Sequence, residues 1–356
     1  MDKAPGSRYL LAAACLVVVV AGLKVGAPVL VPCALALFLA ALSLPLLLWL
    51  RARKVPDWLA ITLTLLVNAA VLGLLILLLT HSFNQLLDAL PRYVERGEAM
   101  TRSLTARLQG WGLPVSPAIT ADLLDAERVL DFAGGTLRGV ALTFTNVLLV
   151  LFVMVFILGE ATVFPDKLRL ISGKGDADFS RYARVTDDVQ RYLILKTIIS
   201  LGTGILVGVW VWMIGLDFAL FWGLLAFLLN YVPNIGSIIA AIPPILLGLI
   251  QLGLGPALLV AAGYLAVNMA IGNVVEPMLM GRRFGLSVLV VMLSLVFWGW
   301  VWGPIGMFLS VPLTMMVKIA LENTPDLRWL AVLLAARPPG PERVARPSPT
   351  RPVEEQ

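Results

Sequence analysis

Asn230-Tyr231-Val232-Pro233-Asn234-Ile235-Gly236 lies in the middle of an otherwise apolar run from Phe218 to Leu252, and its reading decides the fold. Ala219 to Leu229 on one side and Ile238 to Ile250 on the other are almost wholly hydrophobic. A plain membrane helix has no use for two amides, a proline and a glycine at its centre. Pro233 has no N–H and disfavours the helical region for the residue before it. Gly236 permits backbone angles that other residues avoid. At membrane depth, freed backbone groups are tolerated only where protein or a water-filled cavity satisfies them. The stretch therefore reads as a broken helix or re-entrant hairpin beside a polar site.

Composition agrees. Of 356 residues, 59% are hydrophobic and only 14% charged, and the mean hydropathy is +0.91. That combination places the chain among polytopic, all-α membrane proteins in contact with the lipid bilayer. The first apolar run, Leu10 to Val20, has no clear cleavage site after it and reads as a retained span. The net charge of +5 does not imply a nucleic-acid partner, because Lys and Arg sit in loops beside spans, where they set orientation. Cys15 and Cys33 fall in apolar segments and read as small hydrophobes. The single histidine, His81, excludes a multi-His metal site. No cofactor is implied.

In chain order, residues 1–81 hold three spans: Arg8 to Lys24, Pro28 to Leu50 and Trp58 to Thr80. Arg51, Arg53 and Lys54 form a short basic loop that should face the cytoplasm, with the N-terminus. Residues 82–137 are polar enough to lie outside the membrane on the far side. Leu87, Leu90, Val94, Thr101, Leu104, Leu108 and Trp111 recur at helical steps there, and Ser116-Pro117 reads as the start of a second helix through Leu123, Leu124 and Leu130. Residues 138–159 carry span 4, and 160–191 a cytoplasmic helical segment. Its stripe of Phe179, Tyr182, Val185, Val189 and Tyr192 leads into span 5, Leu193 to Ile214. Lys196, in the first turn of that span, is within reach of the interface by snorkelling. Residues 192–321 form the core, and 322–356 a cytoplasmic tail whose composition predicts disorder from about residue 337. At ~20 residues per span, the chain offers about eight membrane segments.

The core contains a second interrupted run, Leu286 to Ala320, broken at Gly303-Pro304-Ile305-Gly306. The two breaks share an order: Pro233, Gly236, Pro243 in one and Pro304, Gly306, Pro312 in the other. Each follows a plain span, so 192–252 and 256–320 read as a repeat. Paired Gly/Pro-interrupted segments in two halves point to a transporter's binding site. If both runs are hairpins, span 7 (Pro256 to Val275) runs inward and Arg282-Arg283 forms a cytoplasmic basic loop, as the positive-inside bias favours. The repeat is then inverted and the two tips approach each other from opposite sides.

From Gln190 onward the chain resembles the autoinducer-2 exporter family of permeases, also called PerM-like. The matching pieces are Gln190-Arg191-Tyr192, Phe227 to Gly236, Glu276-Pro277 through Arg283, and Phe297-Trp298-Gly299-Trp300 through Gly303-Pro304-Ile305-Gly306 to Val311-Pro312-Leu313. The first half is similar in layout alone. The resemblance implies a bacterial inner-membrane transporter, with members linked to export of the furanone signal autoinducer-2 or to sodium or proton antiport.

Charges inside a bilayer are costly and mark function by default. Glu276, at the end of span 7 with Pro277 freeing a backbone carbonyl, fits a sodium or proton site; an ion pair with Arg282 or Arg283 is the plainer reading. Asn230, Asn234, Asn268 and Asn273 either line the path of a small polar solute or stitch helices together. Pro233, Gly236, Pro243, Pro277, Gly303, Pro304, Gly306 and Pro312 act through the backbone. Trp298, Trp300 and Trp302 read as interface anchors, and Asp217 as a loop residue. No HExxH, GxSxG, P-loop or CxxC pair is present, so no catalytic set is expected and any active transport must be ion-coupled. The leading expectation is a secondary exporter of a small polar solute. A sodium/proton antiporter and a non-transporting scaffold are the alternatives, and self-association into a homo-oligomer is expected from the large apolar faces.

Overall fold

The computed structural model describes residues 5–110, 147–171, 176–233, 235–280, 286–322, 324 and 328–335. The outer helix expected after Ser116, Asn234, the Arg282-Arg283 loop and the tail from residue 337 lie outside the described residues.

Among the described residues the chain is helical, with a single isolated bridge, Leu286 to Ala335. Its helices are α1 (Pro5–Val25), α2 (Ala27–Ala52), α3 (Asp57–Gly110), α4 (Val147–Ile171), α5 (Asp176–Ile214), α6 (Ala219–Leu229), α7 (Ile235–Leu252), α8 (Leu254–Ala270), α9 (Glu276–Met280), α10 (Val288–Glu322) and α11 (Arg328–Leu334). A π-helical turn, Ile271–Val275, joins α8 to α9. Among the described residues, six helices are long and apolar enough to cross a membrane, and three apolar helical stretches are shorter.

Helix α3 adds one feature to the expected layout. The helix that carries the third span continues past Thr80 without a break to Gly110, through Pro91, a length of about 80 Å at 1.5 Å per residue. The buried stripe is also one residue off the expected one. Ser82, Leu86, Ala89, Tyr93 and Gly97 face inward, while Leu87 is exposed.

Helix α5 turns back on itself into α6 at Gly215, whose φ of 84° suits glycine. The two helices meet at Gly204, Gly208 and Gly223. A Cβ on Gly204 would lie 2.7 Å from the carbonyl oxygen of Gly223, so the absence of side chains allows the close approach. Helices α6 and α7 then form a hairpin. Its base is closed by the Asp217 N–H donating to Gln251 Oε1 (3.1 Å) and by Gln251 Nε2 donating to the Gly215 carbonyl (3.3 Å). Its tip holds Asn230 to Pro233.

Helix α10 is two arms, 288–302 and 304–322, folded back at Gly303 (φ 65°, ψ −148°). Trp298 Nε1 donates to Thr314 Oγ1 across the arms at 3.1 Å. An unbroken helix would hold those residues about 24 Å apart. Both interrupted runs are therefore helical hairpins.

Their directions are opposed. The Arg51–Asp57 ion pair marks the α2–α3 end of the bundle, and the α1–α2 turn marks the other. Trp302 Nε1 donates to the Leu23 carbonyl and Lys24 lies 3.9 Å over the Trp300 ring, so the α10 tip points toward the α1–α2 turn. The base of the first hairpin meets Tyr93, about 54 Å along α3 from Asp57 at 1.5 Å per residue, so that hairpin's tip points the other way.

Candidate functional site

The first break is built by backbone crowding. The Asn230 N–H still donates to the Ala226 carbonyl (3.0 Å), and the Val232 N–H to that of Leu229 (2.9 Å). The chain then doubles back so tightly that a Cβ on Gly236 would lie 1.8 Å from the Leu229 carbonyl oxygen. The second break repeats this: a Cβ on Gly306 would lie 1.9 Å from the Trp298 carbonyl oxygen. Gly236 was expected to supply an unusual φ, and the structure corrects the reason. Positive φ occurs at Gly303, which has open space around it, whereas Gly236 and Gly306 are needed for closeness.

The tip of the first hairpin rests on a polar stripe of α5. Asn230 Nδ2 donates to Ser200 Oγ at 3.0 Å, and the Tyr231 hydroxyl donates to Thr197 Oγ1 at 2.7 Å. Ser200 and Thr203 are buried on the same face. The Tyr231 ring lies 4.3 Å from that of Phe308, just past the tip of the second hairpin, and 6.1 Å from that of Phe38 on α2. The first hairpin tip thus meets the returning arm of the second hairpin through an aromatic contact.

Next to Thr197 stands Lys196, and here a second expectation fails. Lys196 does not snorkel to an interface. Its side chain is 4% exposed and its Nζ lies 2.9 Å from Glu276 Oε1; the Glu276 side chain is 30% exposed. An opposite charge is within reach, and the ammonium pairs with it. Glu276 begins α9 immediately after the π-helical turn, whose wider winding carries the Glu276 N–H back to the Ile271 carbonyl. Pro277 has no N–H to send to the carbonyls one turn earlier. A carboxylate and a buried ammonium therefore meet against α5. Glu276 and Tyr231 are both within electrostatic reach of the buried Tyr192.

Three of the four asparagines lie among the described residues, and they part company. Asn230 is buried against α5, Asn268 is half-buried on α8, and Asn273 is exposed on the π-helical turn. Pro243, in α7, and Pro312, in the returning arm of α10, are buried, and Pro304 starts that arm. The tryptophans also differ from the expectation of shared anchoring. Trp298 is buried and braces the second hairpin, while Trp300 is exposed beneath Lys24. Asp217 is no idle loop residue, since its Oδ2 accepts a 2.5 Å hydrogen bond from the Tyr93 hydroxyl. Thr197 and Ser200 are the residues of this contact that sequence reasoning missed, and Lys196 was seen without its partner. Their i, i+1, i+4 spacing on an apolar helix was the available signal.

The chain matches the family described as AI-2E family transporter over residues 13–326. It is 40% identical over 334 residues to the AI-2 transport protein TqsA of Escherichia coli K12, covering 93% of this chain and 96% of that protein. It is also 40% identical over 329 residues to the putative transport protein YhhT of the same organism (92% and 94% covered). A putative transport protein of Haemophilus influenzae is 38% identical over 333 residues (92% and 96% covered).

Proposed function

We propose, because this chain belongs to the AI-2E transporter family, that it moves a small polar solute outward through the belt where its two hairpins meet. The protein is a multi-pass membrane transporter. Its solute would pass between the first hairpin tip (Asn230, Tyr231) and the polar face of α5, with Glu276 and Lys196 alongside. The observation that carries the reading is the meeting of the first hairpin tip, the returning arm of the second hairpin and the α5 face that holds the Lys196–Glu276 pair inside an apolar bundle. Ionisable groups kept at such depth are costly and mark solute or ion pathways. Broken hairpins at a repeat interface are where transporters build binding sites. The hairpins enter the membrane from opposite faces and return, with both chain ends in the cytoplasm. A furanone such as autoinducer-2, rich in hydroxyls, suits amide and hydroxyl partners, and one relative's name refers to AI-2 transport.

Flux of radiolabelled autoinducer-2 into inverted vesicles tests this. Asn230→Ala should lower the rate about tenfold, equivalent to ~1.4 kcal/mol, with the protein still folded. Unchanged flux in both Asn230→Ala and Glu276→Gln would remove the belt from the path.

A second reading, sodium/proton antiport without an organic solute, is favoured by the carboxylate of Glu276 at the π-helical turn. Sodium-driven proton movement in vesicles free of organic solute would support it over the first.

A further inference from the structure

We propose that Lys196 is a tethered cation occupying a monovalent-cation site on Glu276, so that the native chain needs no sodium there. The proposal deepens the transport reading and rests on it for the site's role, though not for its chemistry. Two observations carry it. The Lys196 Nζ sits 2.9 Å from Glu276 Oε1, and the Lys196 side chain is only 4% exposed. Glu276 follows a π-helical turn, Ile271–Val275, and Pro277 has no N–H to send to a carbonyl one turn earlier. A carboxylate beside a backbone carbonyl that lacks its helical donor is the kind of oxygen set that transporters present to sodium. Here an ammonium from α5 pairs with the carboxylate.

The competition favours the tethered group. An attached cation acts at an effective concentration of millimolar or above, and it is held by a charge-assisted hydrogen bond. Free sodium would have to displace it and leave a buried ammonium unpaired, which is strongly unfavourable. Remove the ammonium and the balance reverses. Glu276 is then an uncompensated carboxylate, and a small monovalent cation relieves it. A purely structural ion pair makes a different forecast: loss of Lys196 would destabilise the protein equally in every salt.

The experiment measures thermal unfolding of the purified full-length protein in detergent, in sodium, potassium or choline chloride at matched ionic strength and alkaline pH. The native protein should unfold at the same temperature in all three. Lys196→Met should unfold about 5 °C higher in saturating sodium than in choline, the size of shift that ligand linkage gives a chain of this length. Lys196→Arg, which keeps the charge, should respond like the native protein. Glu276→Gln and the double variant should show no cation response. Lys196→Gln takes the place of the methionine variant if that one does not fold. The proposal is overturned if neither neutral variant responds to any of these cations. It is equally overturned if the native protein binds radioactive sodium and Glu276→Gln abolishes that binding. A gained sodium response with no solute flux in any variant would keep this site and remove the transport reading. Flux lost in Glu276→Gln with no sodium response in Lys196→Met would do the reverse.

Discussion

Gly236 and Gly306 are the residues on which the two breaks turn, because each faces a carbonyl oxygen of its own chain with no room for a methyl group. The obstacle in both cases is backbone, of Leu229 and of Trp298, and backbone cannot swing aside as a side chain can. Alanine at either position should therefore open the hairpin, at a cost of about 3 kcal/mol. Gly303→Ala has free space and pays only the torsional strain of φ 65°, about 1–3 kcal/mol. Unfolding in detergent should rank Gly236→Ala and Gly306→Ala below Gly303→Ala, and equal stability of all three would show that the tips are looser than drawn here. The positions of these glycines were legible in the sequence through the shared proline and glycine order. The reason each is needed was not, because a steric contact with a residue seven or eight places earlier leaves no mark on composition. Lys196 and Glu276 were likewise visible one at a time. Their pairing spans 80 residues, and no local pattern announces it.

At the scale of elements, α3 is the least expected piece and a coupling device. Polar residues from His81 to Gln85 looked like the end of a span, yet they include no proline or glycine to stop a helix. The helix accordingly continues, and its far half packs on the first hairpin through Leu86, Ala89 and Tyr93 against Phe221, Trp222 and Leu247. Tyr93 closes the contact by donating to Asp217, whose main-chain carbonyl also accepts from Trp222 Nε1 at 3.0 Å. The base of the hairpin is thus tied to a rod that begins at the opposite end of the bundle. Tyr93→Phe keeps the ring and removes the donor. It should lower stability by about 1–3 kcal/mol, since a charged acceptor loses its partner, and it should change the rate of solute flux while leaving the affinity near the belt intact. Tyr93→Phe with native stability and flux would show that the tie is incidental. The π-helical turn belongs with α3 among the elements that could not be read in advance: winding by one extra residue uses the same side chains as an ordinary helix.

For the whole molecule, the decisive property is the opposed direction of the two hairpins. The α10 tip lies by the α1–α2 turn, and the base of the α6–α7 hairpin lies far along α3, toward the same end. Tyr231 and Phe308 meet between them. If the basic Arg51–Lys54 loop faces the cytoplasm, the first hairpin enters from outside and the second from inside, and the Arg282-Arg283 loop joins the cytoplasmic charges. Two single-cysteine variants, made after replacing Cys15 and Cys33, test the arrangement together. Arg282→Cys should react with an impermeant maleimide only once the membrane is opened. Leu254→Cys, on an exposed residue beside the base of the first hairpin, should react in intact cells. Reaction of Arg282→Cys from outside would mean that at least one interrupted run crosses the membrane, and the two hairpins could not then enter from opposite faces. Reaction of both only after permeabilisation would place the first hairpin's base inside and invert the proposed path for the solute.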